Sequence, residues 1–238
     1  CSSDLWATRY LHSRANQINC VREAIRVHDS LMRQNVTTDG LDPRDDLSKY
    51  KLVIAPQLMI IDDESEANLR TYVENGGTLC LTAHSGVVDA FGKSFDAPRP
   101  GPLAKMAGIE VSDMALLEQP FTIKSEQIPG LDGQSGSILA DEIQVTTADV
   151  LATYGTGWRK GLPALTCNRW GRGMVYYLGT VIEGPAMDAL TGYLCEQAGV
   201  EPIMSTPPGV RAYERRNDTD RLVFILNFTE QPQTVELP

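Results

Sequence analysis

Apolar and polar positions in the first third of the chain follow two alternating periods. Between Ser13 and Arg33, Ile18, Val21, Ile25, His28 and Met32 recur at helical spacing while Arg22, Arg26 and Arg33 face elsewhere. That predicts an amphipathic helix with His28 on its packed face. Tyr50-Lys-Leu-Val-Ile-Ala-Pro56 is a short, nearly continuous apolar run, which suits a strand covered on both faces. Asp62-Asp63-Glu64-Ser65-Glu66 then supplies an N-cap and a carboxylate three residues on, with Ala67, Leu69, Tyr72 and Val73 as the buried stripe. Asn75-Gly76-Gly77 stops this helix and Thr78-Leu-Cys-Leu-Thr-Ala83 resumes as a strand. Strand, helix and strand with short joints make a βαβ unit, expected to be right-handed.

Residues 84–102 carry Gly86, Gly92, Pro98, Pro100 and Pro102 and read as a loop. A loop of that length leaving a parallel strand is expected to make contacts or carry function. Pro102 to Gly108 reads as a short helix. Val111 to Thr153 has no helical period and reads as strands and loops inserted into the α/β domain. Pro163 to Asn168 and Met174 to Leu178 flank Trp170-Gly-Arg-Gly173, a hairpin signal. Ala186, Ala189, Leu190, Tyr193 and Leu194 mark a helix closed by Gly199, and strands return at Val210–Glu214 and Leu222–Phe228. The last stretch is too short for a sheet of its own. The expected division is therefore an α/β domain over 1–204 and the beginning of an all-β domain over 205–238.

Composition narrows the function classes. The 238 residues carry 21 Lys+Arg against 31 Asp+Glu, a net charge of −10. So acidic a surface repels phosphate and anionic lipid, so neither a nucleic acid nor a membrane is an expected partner. No apolar stretch approaches the ~20 residues of a membrane helix, and Cys1-Ser-Ser-Asp-Leu-Trp6 lacks the basic and apolar regions of a signal peptide. Cys1, Cys20, Cys80, Cys167 and Cys195 lie 19 or more positions apart, without a C-x-x-C pair. An odd, unclustered set fits reduced thiols and a cytoplasmic setting. Asn227-Phe-Thr229 matches a glycosylation sequon by pattern only.

Candidate chemistry is thin. Of three histidines, His12 lies near the chain end, His28 is expected in the core, and His84 follows a parallel strand where open α/β sheets bind ligands. Cys80 precedes His84 by four positions but lies in mid-strand, not on the Gly-flanked turn that exposes a nucleophile. Ser85, in His84-Ser-Gly86, is half of an elbow motif. Asp45-Asp46 and Asp62-Asp63-Glu64 are paired carboxylates, the second with an evident capping duty. Phosphate-loop glycines are absent. Trp158, Trp170, Tyr176 and Tyr177 are candidates for a sugar-stacking platform or for packing. No catalytic, cofactor-binding or metal-binding residue is assigned from these patterns.

Taken in order, the segments resemble the middle part of family-42 glycoside hydrolases, the bacterial β-galactosidases. The matching phrases are Leu47-Ser-Lys-Tyr-Lys-Leu-Val-Ile-Ala-Pro56, Leu69-Arg-Thr-Tyr-Val-Glu-Asn-Gly-Gly-Thr78 and Ser85-Gly-Val-Val-Asp89. Pro100-Gly-Pro-Leu103 with Ala107-Gly-Ile109, and Gly171-Arg-Gly-Met-Val-Tyr-Tyr-Leu-Gly-Thr180, continue it. Gly199-Val200, Pro208-Gly-Val210, Arg215 or Arg216, and Phe224-Ile-Leu-Asn227 resemble the entry into the family's C-terminal β domain. Departures are His84 before the Ser-Gly phrase and Ser112-Asp113 where a glutamate is common.

The resemblance implies a flavodoxin-like, class I glutamine amidotransferase-like three-layer α/β domain with inserted β segments, then the start of a small antiparallel β domain. It implies a homotrimer assembled partly through this domain, in a retaining β-galactosidase whose catalytic glutamates and galactoside substrate belong to a TIM barrel. The acid/base glutamate of that family usually follows Asn, and no Asn-Glu dipeptide occurs here. The expectation is a non-catalytic assembly piece without cofactors. The alternatives are a self-contained amidotransferase-like or sugar-utilisation domain with a site near His84, and a carbohydrate-binding module using Trp158 or Trp170.

Overall fold

The computed structural model describes residues 18–237, and the expected βαβ unit organises them. In chain order, α1 (Cys20–Arg33) precedes β1 (Leu52–Ala55), α2 (Asp63–Glu74) and β2 (Thr78–Thr82). A 3-10 turn (Gly101–Leu103) runs into the single-turn helix α3 (Ala104–Ala107). Then come β3 (Ile109–Leu116), β4 (Phe121–Lys124), β5 (Ser135–Val145) and β6 (Asp149–Tyr154). They are followed by β7 (Pro163–Trp170), β8 (Gly173–Leu178), β9 (Thr180–Val181) and α4 (Pro185–Ala198). A last pair, β10 (Val210–Arg216) and β11 (Arg221–Asn227), closes the chain.

One mixed sheet orders the strands β1-β2-β8-β7-β6-β4-β5-β3, with β9 beside β5. Strands β1, β2 and β8 are parallel; Leu52 faces Thr78 and Leu79 faces Val175. From β8 onward the pairings are antiparallel. The region expected as an insertion therefore extends the same sheet, because β7 pairs both β8 and β6. The period of 2 along β2 splits the core. Cys80 joins Tyr176 and Leu178 under α1 and α4, while Leu79 and Leu81 join Val175 and Tyr177 under α2 and α3. Truncating Leu79 or Leu81, both without solvent exposure, costs on the order of 2–5 kcal/mol.

The helix ends follow the expected chemistry, with two corrections. The Asp62 carboxylate accepts the Ser65 backbone N–H at 2.8 Å, and Ser65 Oγ returns the contact to the Asp62 N–H at 3.1 Å. Ser65, not a carboxylate, thus completes the capping box, and it is buried where Ala67 is exposed. On α1 the packed face is Cys20, Glu23, Val27, Ser30 and Leu31. Ile25 is 61% exposed and His28 is on the solvent side, so the expected core position of His28 is wrong. The reason is polar. Ser30 donates to Asp188 at 2.6 Å and Arg33 pairs with Asp188 at 2.7 Å, which rolls α1 so that these groups meet α4. His12 and the expected helical residues 13–17 lie outside the described residues.

Candidate functional site: the carboxyl end of the parallel strands

β2 ends at Thr82 and the chain turns at once. His84 has φ +71 and is 1% exposed, a left-handed conformation uncommon for a residue with a Cβ. Ser85 is buried as well. Its hydroxyl donates to the Thr82 carbonyl at 2.7 Å and accepts the Leu58 N–H at 3.2 Å. The serine is spent on holding two turns together. The Cys80 thiol, in mid-strand, is pushed up to about 12 by burial, which keeps it protonated and unreactive at neutral pH. Neither group is an available nucleophile.

Asp141, on β5, is a buried carboxylate that reaches this end. It has no solvent exposure. Burial lifts its pKa to about 6, against the lowering effect of a Tyr177 hydrogen bond, Arg99, the His84 backbone N–H and Arg159. Tyr177 Oη donates to its Oδ2 at 2.7 Å. Nearby, Tyr154 Oη donates to the Gly179 carbonyl at 2.8 Å, tying β6 to the β8–β9 joint. Such a network fixes geometry; no substrate can enter it. Asp141 and Tyr154 are not among the candidates read from the sequence, and Tyr177 is read there as a stacking or packing residue and not as a partner of Asp141.

The aromatic candidates separate. Tyr176 and Tyr177 are core residues. Trp170 is half-buried, with Nε1 donating to Glu74 at 3.1 Å and Arg70 and Lys105 over its ring. Trp158 is 63% exposed on the β6–β7 turn. Asp45 and Asp46 cap turns, accepting the Asp42 and Ser48 backbone N–H groups at 2.8 and 2.9 Å. Among the described residues no group of three or more His, Cys, Asp or Glu is placed to hold a metal ion.

The loop over 84–102 is closed at its base, where a Cβ on Gly86 would overlap the Pro100 carbonyl. Val88 is buried and Phe95 packs on the core under α2 and α3. Phe91 is 95% exposed at the tip, on a turn in which Asp89 accepts the Phe91 and Lys93 N–H groups at 2.9 Å. Two surface recesses lie elsewhere. One of about 440 Å³ borders Leu47, Tyr50, Lys51 and Tyr72. The other, about 630 Å³, runs between α1 and α4, where Arg26 pairs with Glu183 and Arg33 with Asp188.

A profile of the β-galactosidase trimerisation domain matches residues 2–201. The chain belongs to that family. The trimerisation domain is followed by a match of residues 209–238 to the β-galactosidase C-terminal domain. A β-galactosidase from Planococcus sp. (strain 'SOS Orange') is 34% identical over 98% of this chain and 35% of its own length. One from Clostridium perfringens is 32% identical over 85% of this chain and 30% of its own. The β-galactosidase crystal structure from Bacillus circulans sp. alkalophilus superposes with a TM-score of 0.84 at 35% identity, over 88% of this chain and 32% of that one. That from Rahnella sp. R3 gives 0.85 at 28% identity, over 95% and 34%. The trimerisation domain and its appendage thus span about a third of the length of the curated relatives they match. Among the described residues no helix is long and apolar enough to cross a membrane.

Proposed function

We propose that this chain is a non-catalytic assembly module that joins copies of a β-galactosidase into a homotrimer. The match to the trimerisation domain over residues 2–201 carries the reading. Ser85 and Cys80, the nucleophiles nearest His84, are sealed, which leaves the alternative of a self-contained site there without a reacting group. Phe91, 95% exposed at the tip of a braced loop, is a ring available to such a contact. The parent protein would hydrolyse β-galactosides, with the two carboxylates and the substrate site in a barrel outside these residues. Light scattering of the intact polypeptide across a dilution series tests the assembly role. Mass above one chain is expected at micromolar concentration, and a strict monomer there overturns it.

The finer assignments rest on the same reading. We assign the domain to the flavodoxin-like and class I glutamine amidotransferase-like folds, a reading supported by parallel β1, β2 and β8 with helices on both faces. Residues 1–204 form this domain and 205–238 open a C-terminal β domain, which would cover the exposed row Leu222, Phe224, Leu226 and Phe228. A cytoplasmic location is supported by Cys20, Cys80, Cys167 and Cys195, all buried free thiols.

A further inference from the structure

We infer that the β6–β7 turn, with Trp158 at its tip, is a contact through which this chain joins a second copy of itself; the inference rests on the assembly reading and names one of its surfaces. The turn is built to hold its shape. Gly155 N–H donates to the Thr122 carbonyl at 2.7 Å, and Gly161 N–H to the Tyr154 carbonyl at 2.7 Å. Gly157 has φ +77, and a Cβ there would overlap the Phe121 ring, so only glycine fits.

Trp158 itself is fixed from beneath. The Arg159 guanidinium lies 4.1 Å from the ring centroid and Phe121 meets the ring edge-to-face at 6.3 Å. Arg159 has no solvent exposure, and its two terminal nitrogens donate to Glu142 at 2.7 Å and Asp113 at 2.8 Å. The arginine cannot swing away without abandoning both carboxylates. An exposed tryptophan on a pre-ordered base loses little conformational freedom on binding, which is the character of an interface hot spot.

The occupant follows from position and chemistry. Leu165 pairs with Leu178, so the β6–β7 turn lies at the carboxyl end of β8. The Phe91 loop leaves the carboxyl end of the neighbouring β2. Two exposed aromatics therefore share one end of the sheet in a domain of a trimerising family. In a closed three-fold ring each copy presents one patch and receives it on another, so every subunit would use its Trp158 once. A sugar is the poorer fit. Trp158 lines neither the recess beside Tyr72 nor the one between α1 and α4. Glu142 also spends its second carboxylate oxygen on Ser112, 3.2 Å away, leaving few polar groups to converge on hydroxyls.

The test is sedimentation of the intact polypeptide carrying these residues, comparing wild type with Trp158→Ala and Trp158→Phe. Circular dichroism and urea midpoints of each variant confirm folding. The expected result is a rise of about 30-fold or more in the dissociation constant for Trp158→Ala, with a smaller rise for Trp158→Phe, which keeps a ring over Arg159. Iodide should quench wild-type emission less above the association concentration than below it, with that difference lost in Trp158→Phe. A wild type that stays monomeric defeats the assembly reading and this inference together. A wild type that associates while Trp158→Ala associates equally well defeats this inference alone. If, in addition, only wild-type fluorescence responds to galactose, the turn is a sugar platform instead.

Discussion

The Tyr177 hydroxyl donates a 2.7 Å hydrogen bond to the Asp141 carboxylate, and both side chains are shut off from water. Burial raises Asp141 from the ordinary 3.8 to about 6 and Tyr177 well above its ordinary range. Between those two values for Asp141 the folded chain binds more protons than the unfolded one. Stability therefore falls as pH rises through that window and levels off above about 6. The two-unit shift corresponds to about 3 kcal/mol. Asp141→Asn stays neutral throughout, so its deficit relative to wild type should shrink by about that amount between pH 4 and 7.5. Urea midpoints at intervening pH values measure it; a constant deficit would refute the burial argument.

Asn35 joins the α/β domain to the β10–β11 pair. It has φ +59, accepts the Ala212 N–H at 2.7 Å, and donates to the Met204 carbonyl at 3.2 Å and Thr206 at 2.7 Å. Asn35→Ala strands the Ala212 N–H in a buried site and leaves a Cβ residue in the left-handed region. The expected loss is about 3 kcal/mol, with faster amide exchange along β10. Unchanged exchange would mean that Arg211, paired with Asp29 at 2.9 Å, holds the strands by itself.

Local chemistry made most elements legible before any coordinates. Asp62 announces the start of α2, Gly199 the end of α4, and Trp170-Gly-Arg-Gly173 the β7–β8 hairpin. The family resemblance rested on the same short phrases. What stayed hidden depends on partners distant in sequence. His28 sits at helical spacing with apolar residues, yet Asp188, 160 positions on, decides which face of α1 turns inward. Asp141 carries no local signal of its own, and only the sheet order brings it towards Arg159. Gly155-Thr-Gly-Trp-Arg159 did carry a usable signal, two glycines before an aromatic–cation pair.

Cys80 should be inert. Its thiol has no solvent exposure, and its pKa, raised to about 12 chiefly by burial, leaves almost no thiolate at pH 8. Peptide mapping after brief treatment with a maleimide should find Cys80 unlabelled in the folded chain and labelled after denaturation. Fast labelling under native conditions would show that the sheet opens between β2 and α4 far more readily than its packing implies.

These 238 residues alone should not turn over a β-galactoside. Retaining hydrolysis needs two carboxyl groups about 5–5.5 Å apart, one free to attack and one able to give up a proton. Among the described residues, four carboxylate pairs come together through a shared arginine. Asp113 and Glu142 are clamped by buried Arg159, Asp29 and Asp188 by Arg33, Glu23 and Glu183 by Arg26, and Asp42 and Asp62 by Arg44. A carboxylate bonded to a guanidinium spends its oxygens on that ion pair and is not free to attack or to meet a leaving oxygen. The second pair borders an open groove already occupied by its own ion pairs. Incubating the purified chain with a chromogenic galactoside should give a rate no higher than buffer. Turnover that survives purification and disappears in Asp113→Asn or Glu142→Gln would place an active site at the Trp158 corner and reverse the assignment of this module as non-catalytic.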